Sequence, residues 1–403
     1  MRIHMKKDNL TTKFVNLLIL LPIIWTFSGL FYFHNGDKIL VILTIISAVS
    51  SFVRYGVKTL IDNINNKYTW LIYGMLCIAI VSEVLNLYNP INIRAIAIIA
   101  VLLTFYPYQI ISRNILIFVS FIGGLNSFLF VYKFTYIEQT ARYYWPINAI
   151  PFATYICFIS VISFMLLITR KSKKETIILI LNFLILIISL SLTETRGAFV
   201  ALIPTLSIIY FYISYKNKNL RKSLLISALV IITSSLLIYP IIKDRIIATQ
   251  QEITQIDNGN TNTSIGLRLN FWKAGIFLIK QSPFTGYGDN YFNQLDYLAK
   301  EKIITIESAK YRPPHFHNQF IDISVKCGIL GLISFIIIIF SPIFIIKNKS
   351  SDNALTIYSL ILVLILSGLT DVPFFHKQIF IIYFLCIGIF IGKDRLGKIN
   401  KGL

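Results

Sequence analysis

Two arginines, two histidines and one aspartate stand out as side chains able to do chemistry in an otherwise oily sequence. In "LSLTETRGAF", Arg196 sits with Glu194 in the middle of a long apolar stretch. The plain reading is an interfacial guanidinium that snorkels toward phosphate headgroups and pairs with Glu194; the sharper one is an anion ligand. In "NTSIGLRLNFW", Thr263 or Ser264 can cap a helix that starts just before Arg268, which places its guanidinium near an N-terminus already favourable to anions. Two arginines facing one another would hold a phosphate or pyrophosphate bidentately. Without such a partner, Arg268 is a solvated charge on an amphipathic helix.

His315 and His317 lie in "YRPPHFHNQF", where Pro313 and Pro314 stiffen the approach and keep the next helix from starting early. A histidine held at a membrane surface can serve as a base near neutral pH. Its alternatives are a hydrogen-bonded structural role or a metal ligand. For a metal the sequence offers no H-E-x-x-H, no D-x-D and no acidic cluster beside the pair, so a metal is not expected. Asp371, in "SGLTDVPFFHK", ends an apolar segment and either caps backbone or takes part in the site. Arg94 and Arg142 repeat the pattern more weakly, as headgroup anchors or as part of a cationic vestibule.

The elements that must position these groups are membrane spans. The chain has 403 residues, 56% hydrophobic and 14% charged, with a mean hydropathy of +0.71, which excludes an ordinary soluble domain. Apolar runs of about 17–25 residues match a hydrocarbon layer of about 30 Å, and lipid forces such backbone into helices. The reading is a single all-α polytopic membrane domain, 1–403. Its spans are expected near 14–33, 38–53, 69–88, 91–111, 113–132, 146–169, 175–192, 197–214, 222–240, 320–346, 354–370 and 376–392, about twelve transmembrane helices. The first is read as a retained helix, too long for a signal sequence and without a small-residue cleavage site.

Lys and Arg gather in one alternate set of connections: the N-terminus, 54–68, Arg113, 170–174, 216–222, Lys347, Lys349 and the C-terminus. The opposite set holds only Lys38, Arg94, Lys133, Arg142, Arg196 and Lys377. By the positive-inside rule both termini are cytoplasmic. The connection 243–319 then lies outside, and at this length it is functional or disordered. Within it "RLNFWKAGIFLIKQSPF" has the three-and-four spacing of an amphipathic helix, followed by the glycine-rich turn "TGYGDNYF".

The formal net charge of +20 brings nucleic acid to mind, but the basic residues sit between apolar runs and form no stripe interleaved with aromatics, so nucleic acid is not an expected partner. Cys77, Cys157, Cys327 and Cys386 all fall in expected spans and form no C-x-x-C pair; they are read as small apolar packers.

Three blocks in order, "LSLTETRGAFVALIP", "TSIGLRLNFWKAGIFLIKQSPFTGYG" and "HFHNQFIDISVKCGILGLISF", with a short "GLTDV" after them, resemble the bacterial O-antigen ligases. The resemblance is specific over roughly 175–375 and is one of hydropathy and topology before that. It implies a GT-C-like glycosyltransferase of the bacterial inner membrane, both termini cytoplasmic, whose site faces the periplasm through the large periplasmic loop. The implied donor is an undecaprenyl-diphosphate-linked O-antigen and the implied acceptor a hydroxyl of lipid A–core. Membrane lipids surround it, and neither metal nor cofactor is needed.

Arg196 and Arg268 match the family's arginines and would hold the diphosphate; His317 matches its histidine and would deprotonate the acceptor, inverting the anomeric centre. His315, Asn318, Tyr287, Asp371, Arg94 and Arg142 would bind substrate around them. Gly197 stands where some relatives carry alanine, a change expected to alter local flexibility alone. An O-antigen polymerase shares the general pattern. A lipid-linked glycan transporter shares the helix number, but transporters place polar residues at midplane in two related halves.

Overall fold

The computed structural model describes residues 9–33, 35–218, 243 and 246–399. Among them there are helices and turns and no strand. In chain order the helices are α1 (Asn9–Phe27), α2 (Gly36–Ile64), α3 (Lys67–Val84), α4 (Ile93–Phe105), α5 (Arg113–Tyr132), α6 (Ala149–Ile168), α7 (Lys173–Leu192) and α8 (Arg196–Lys216). After them come α9 (246–257), α10 (Ser264–Gln281), α11 (Phe292–Lys300), α12 (Ile306–Lys310), α13 (Gln319–Ile345), α14 (Asp352–Gly368) and α15 (Lys377–Ile399).

A helix stands at eleven of the twelve expected span positions; the remaining one, 222–240, lies outside the described residues. Seven of the described helices are long and apolar enough to cross a membrane, namely α2, α3, α5, α6, α7, α8 and α13. α1, α4 and α14 are shorter apolar helices.

Why these segments pack as they do follows from where their apolar surface points. α6 is apolar all round, and 83% of its most hydrophobic stretch is buried, the signature of a helix enclosed by others. It touches α5, α7, α8, α14 and α15. In α13 only 17% of the corresponding stretch is buried, so that helix lies at the rim. Because lipid is as apolar as leucine, helix pairs here need polar ties. Asn182 of α7 supplies one, donating from Nδ2 to Ser120 Oγ on α5 (3.0 Å) and Ser163 Oγ on α6 (3.1 Å).

The segment 246–318 folds on itself as the amphipathic spacing and the glycine turn suggest. α10, α11 and α12 share a small core of Phe271, Leu278, Tyr291, Leu295, Leu298 and Phe316, and Val325 of α13 completes it. The join to the membrane part is a break in α13 at Gly328, where φ is 64° and ψ −167°. Two backbone groups freed by the break are taken up by the glycine turn: Tyr287 N donates to Val325 O and Ile329 N donates to Pro283 O, both at 2.8 Å. A side chain at Gly328 would collide with the Phe284 carbonyl. Only glycine meets both demands, a left-handed φ and a backbone in contact.

Candidate functional site

The N-terminal half of α10 collects the residues singled out by type. Thr263 is its N-cap, accepting from Gly266 N at 3.0 Å. The next free helical amide, Ile265 N, donates to Glu252 Oε2 (3.0 Å), while the other carboxylate oxygen accepts from Arg196 Nη2 (2.8 Å). Glu252, on α9, therefore fills the kind of seat an anion takes between a guanidinium and a helix N-terminus. The pairing partner of Arg196 is thus Glu252, which corrects the simple expectation of Glu194. Glu194 has a left-handed backbone (φ 52°), and its carbonyl accepts from Arg142 Nη1 at 2.8 Å.

Arg268 lies three residues beyond Ile265 on the same stripe of α10, about 4.5 Å along the axis. Among the described residues no carboxylate pairs with it. A further turn along, Phe271 stacks on the His317 ring with centroids 5.8 Å apart and planes 19° from parallel. Trp272 Nε1 donates to the His317 carbonyl at 3.3 Å. One helix face thus runs from the seat of Glu252, past Arg268, to the imidazole of His317.

His317 itself is left-handed, with φ 50°, a conformation costing about 1–3 kcal/mol unless the surroundings enforce it. Its N–H donates to His315 Nδ1 at 3.3 Å, so the His315 proton belongs on Nε2. Burial pushes the His315 imidazole down to about 3, although the Asp371 carboxylate pulls the other way. His315 is thus a neutral, buried acceptor that shapes the backbone of His317.

His317 Nδ1 faces Asp371 Oδ1 at 3.5 Å, within ion-pair reach, and the His317 side chain is 20% exposed. Nδ1 is shut off from solvent, so the open edge of the ring is that of Nε2. Burial raises the Asp371 carboxyl, but the neighbouring imidazoles of His317, His315 and His376 outweigh it, and the group is held below the ordinary carboxylate range. An ionised carboxylate behind one imidazole nitrogen orients the ring and stabilises its protonated form.

The carboxylate missing from the sequence neighbourhood of the histidines is therefore present in space. Ligand atoms of His315, His317 and Asp371 lie within 4.8 Å of one another, close enough to share a metal ion. That corrects the expectation that no acid stands beside the pair. Against a metal, His315 Nδ1 is already committed to the His317 amide.

The other expected residues have more local duties. Asn318 is the N-cap of α13, its Oδ1 accepting from Phe320 N and Ile321 N, and its Nδ2 donates to Leu369 O at 3.2 Å, two residues from Asp371. Tyr287 is held by its amide at the α13 break and donates its hydroxyl to Gln281 Oε1 at 3.2 Å. Arg142 binds the carbonyls of Thr193 and Glu194 at the end of α7, where a cation is favoured. Arg94 pairs with buried Asp37 (2.9 Å), which also holds Lys377 (2.8 Å), so one carboxylate ties two cations at the junction of α2, α4 and α15.

Glu252, Thr370 and His376 were not singled out from sequence. Of these, His376 carried the clearest signal, a histidine five residues after Asp371. It is half-buried, and desolvation lowers its imidazole, although the Asp371 carboxylate pulls the other way.

Gly197 has a reason other than flexibility. A Cβ there would stand 2.5 Å from Thr370 Oγ1, so the first turn of α8, which carries Arg196, rests on the residue that precedes Asp371. Replacing Gly197 by alanine is expected to cost about 1–3 kcal/mol by overpacking and to lower turnover. The double variant Gly197→Ala, Thr370→Ala should recover much of that loss, as thermal unfolding and activity measured on the four-member cycle would reveal.

A cavity of about 270 Å³ opens between α3, the turn around Tyr88 and α13. Its walls are mostly apolar, including Met75, Ile78, Ile323 and Phe335, and they include Phe375, whose ring packs 5.0 Å from that of His315.

Helices of this length and hydropathy indicate a multi-pass membrane protein, and the His317–Asp371 pair lies where the 246–318 segment meets α13 and α14. Residues 181–336 match the model of the O-antigen ligase family. An O-antigen ligase of Escherichia coli (strain K12) is 26% identical over 219 residues, covering 53% of this chain and 51% of that protein. An uncharacterized protein of Haemophilus influenzae is 30% identical over 208 residues, 48% of this chain and 51% of that one. The chain spans about half the length of the curated relatives it matches.

Proposed function

We propose that the protein is an O-antigen ligase of the bacterial inner membrane, with both termini cytoplasmic and segment 246–318 in the periplasm. It transfers O-polysaccharide from undecaprenyl diphosphate to a sugar hydroxyl of lipid A–core. The observation that carries this reading is the single face of α10 that joins an anion seat, at Arg196 and Ile265 N, to the His317–Asp371 pair. The mostly apolar cavity lined in part by Phe375 suits a reaction whose substrates are both lipids.

In the proposed step the acceptor O–H gives its proton to His317 Nε2 while its oxygen attacks the anomeric carbon. The bond from that carbon to the diphosphate oxygen breaks, and undecaprenyl diphosphate leaves as the anion. Arg196 and Arg268 offset the charge that grows on the leaving oxygens. A single displacement inverts the anomeric configuration. Asp371 stabilises the imidazolium, and no metal is required to activate either partner.

The diphosphate and the Glu252 carboxylate would compete for Arg196. Removing the competitor in Glu252→Ala is expected to lower the KM for donor by about tenfold, the worth of one charge-assisted hydrogen bond. An unchanged or higher KM would mean that Glu252 holds Arg196 in place for the donor instead of excluding it.

The test of function uses purified protein, a diphosphate-linked glycan donor, and either lipid A–core or a second glycan-lipid as acceptor, with chelator present. Product on lipid A–core supports the ligase. Product only on the glycan-lipid identifies a polymerase, and movement of labelled donor across proteoliposomes without any joining identifies a transporter.

A further inference from the structure

Two charged residues that this mechanism does not use are buried beside it. Asp322 and Lys326 lie one turn apart at the start of α13, 4% and 3% exposed. Lys326 Nζ lies 2.9 Å from Asp322 Oδ1 and 3.1 Å from Oδ2. Rings of Tyr291, Phe375 and Tyr88 surround the ammonium at 5.3, 5.9 and 6.0 Å. A buried ion pair is weak evidence for stability, because desolvation cancels most of its attraction. Ionisable groups inside an apolar helix generally mark function, so the question is what this pair touches.

Both ends touch the histidine segment. Lys326 Nζ donates to Pro314 O at 2.9 Å, and Asp322 Oδ1 accepts from Phe316 N at 3.1 Å. These are the backbone groups on either side of His315, immediately before His317. Tyr291, which also faces the ammonium, donates its hydroxyl to Pro313 O at 2.7 Å. With the His317 amide on His315 and the His317 carbonyl on Trp272, the segment is tied at five successive points. A left-handed histidine needs such enforcement.

We infer that Asp322 and Lys326 are positioning residues: the pair clamps the backbone around His315 so that the His317 ring stays between Phe271 and Asp371 with Nε2 free. This rests on the reading of His317 as the base. The clamp works through two hydrogen bonds, a donor for Pro314 O and an acceptor for Phe316 N, and the charges serve to make each bond strong.

The test compares two double variants that both remove the buried charges. Asp322→Asn with Lys326→Gln keeps a neutral donor and a neutral acceptor; Asp322→Asn with Lys326→Met loses the donor to Pro314. The expected result is a kcat within about threefold of wild type for the glutamine variant and a loss of more than about tenfold for the methionine variant. In both, donor KM should stay at the wild-type value, and the pH–rate profile should move only in the methionine variant. Equal kcat in the two, or a loss that appears in donor KM, overturns the proposal. Should the methionine variant fail to fold, the glutamine variant decides alone: a tenfold fall of its kcat at wild-type donor KM overturns the clamp. His317→Ala is run in parallel. Turnover retained there removes the base role itself, whereas an inactive His317→Ala beside two fully active double variants removes only the clamp.

Discussion

Replacing His317 with alanine is expected to lower ligation by about 10²- to 10⁴-fold, the usual range for a positioned general base. Two features of the site set this expectation. In the proposed reaction the acceptor is an alcohol, a weak nucleophile, whereas a diphosphate needs little help to leave, so the missing proton acceptor falls on the difficult half of the step. The His317 ring is also held by Phe271 against its face, by the His315 ring edge-on and by Asp371 at Nδ1, while Trp272 ties its backbone carbonyl. Its removal leaves the anion seat at Arg196 and Ile265 N untouched, so donor KM should stay within about twofold of wild type. Steady-state kinetics with varied donor check both numbers. Asp371→Asn should reproduce part of the kcat loss, because the imidazolium formed in the reaction loses its counter-charge.

The second large effect concerns the arginines. Arg196→Ala and Arg268→Ala should each lower kcat/KM by about 10- to 150-fold, the worth of a charge-assisted hydrogen bond of about 1.5–3 kcal/mol. Part of each loss belongs to kcat, since the charge on the diphosphate grows as its bond to the sugar breaks. Arg196→Lys keeps the charge and loses the fork, so it should recover only a fraction. Arg196→Ala also leaves Glu252 without its cation. The measurement is therefore repeated in the Glu252→Ala background, where the loss assigned to Arg196 must persist. Because both arginines serve one diphosphate, the effect of the double variant should depart from the sum of the two.

Much of the helical order was legible because lipid allows so few solutions: a run of about twenty apolar residues has to be a helix, and polarity at its ends marks where it stops. The cap of α10 at Thr263 was equally readable, since a threonine ahead of an apolar-periodic run satisfies amides that would otherwise be orphaned. Pairings across the chain were not. Nothing local in the sequence ties Glu252 to Arg196 or Asp371 to His317, because those partners lie more than fifty residues apart and meet only through tertiary packing. The charge on Arg94 looked available and is paired with Asp37, a contact between two spans that hydropathy cannot register. Gly197 looked like a hinge and is a point of close approach to Thr370. Asp322 and Lys326 did carry a local signal, opposite charges four apart inside an apolar helix. What they hold becomes apparent only when Pro314 and Phe316 fold back over them.

In the proposed mechanism one diphosphate takes the place of the Glu252 carboxylate, within reach of Arg196, Arg268 and the His317 imidazole. The most direct measurement is a structure of the protein with a non-hydrolysable diphosphate-linked donor bound. Phosphate oxygens are expected on Arg196 and Ile265 N, with Glu252 displaced from both and the anomeric carbon on the Nε2 side of His317. A diphosphate bound elsewhere while Glu252 still holds Arg196 would contradict the mechanism.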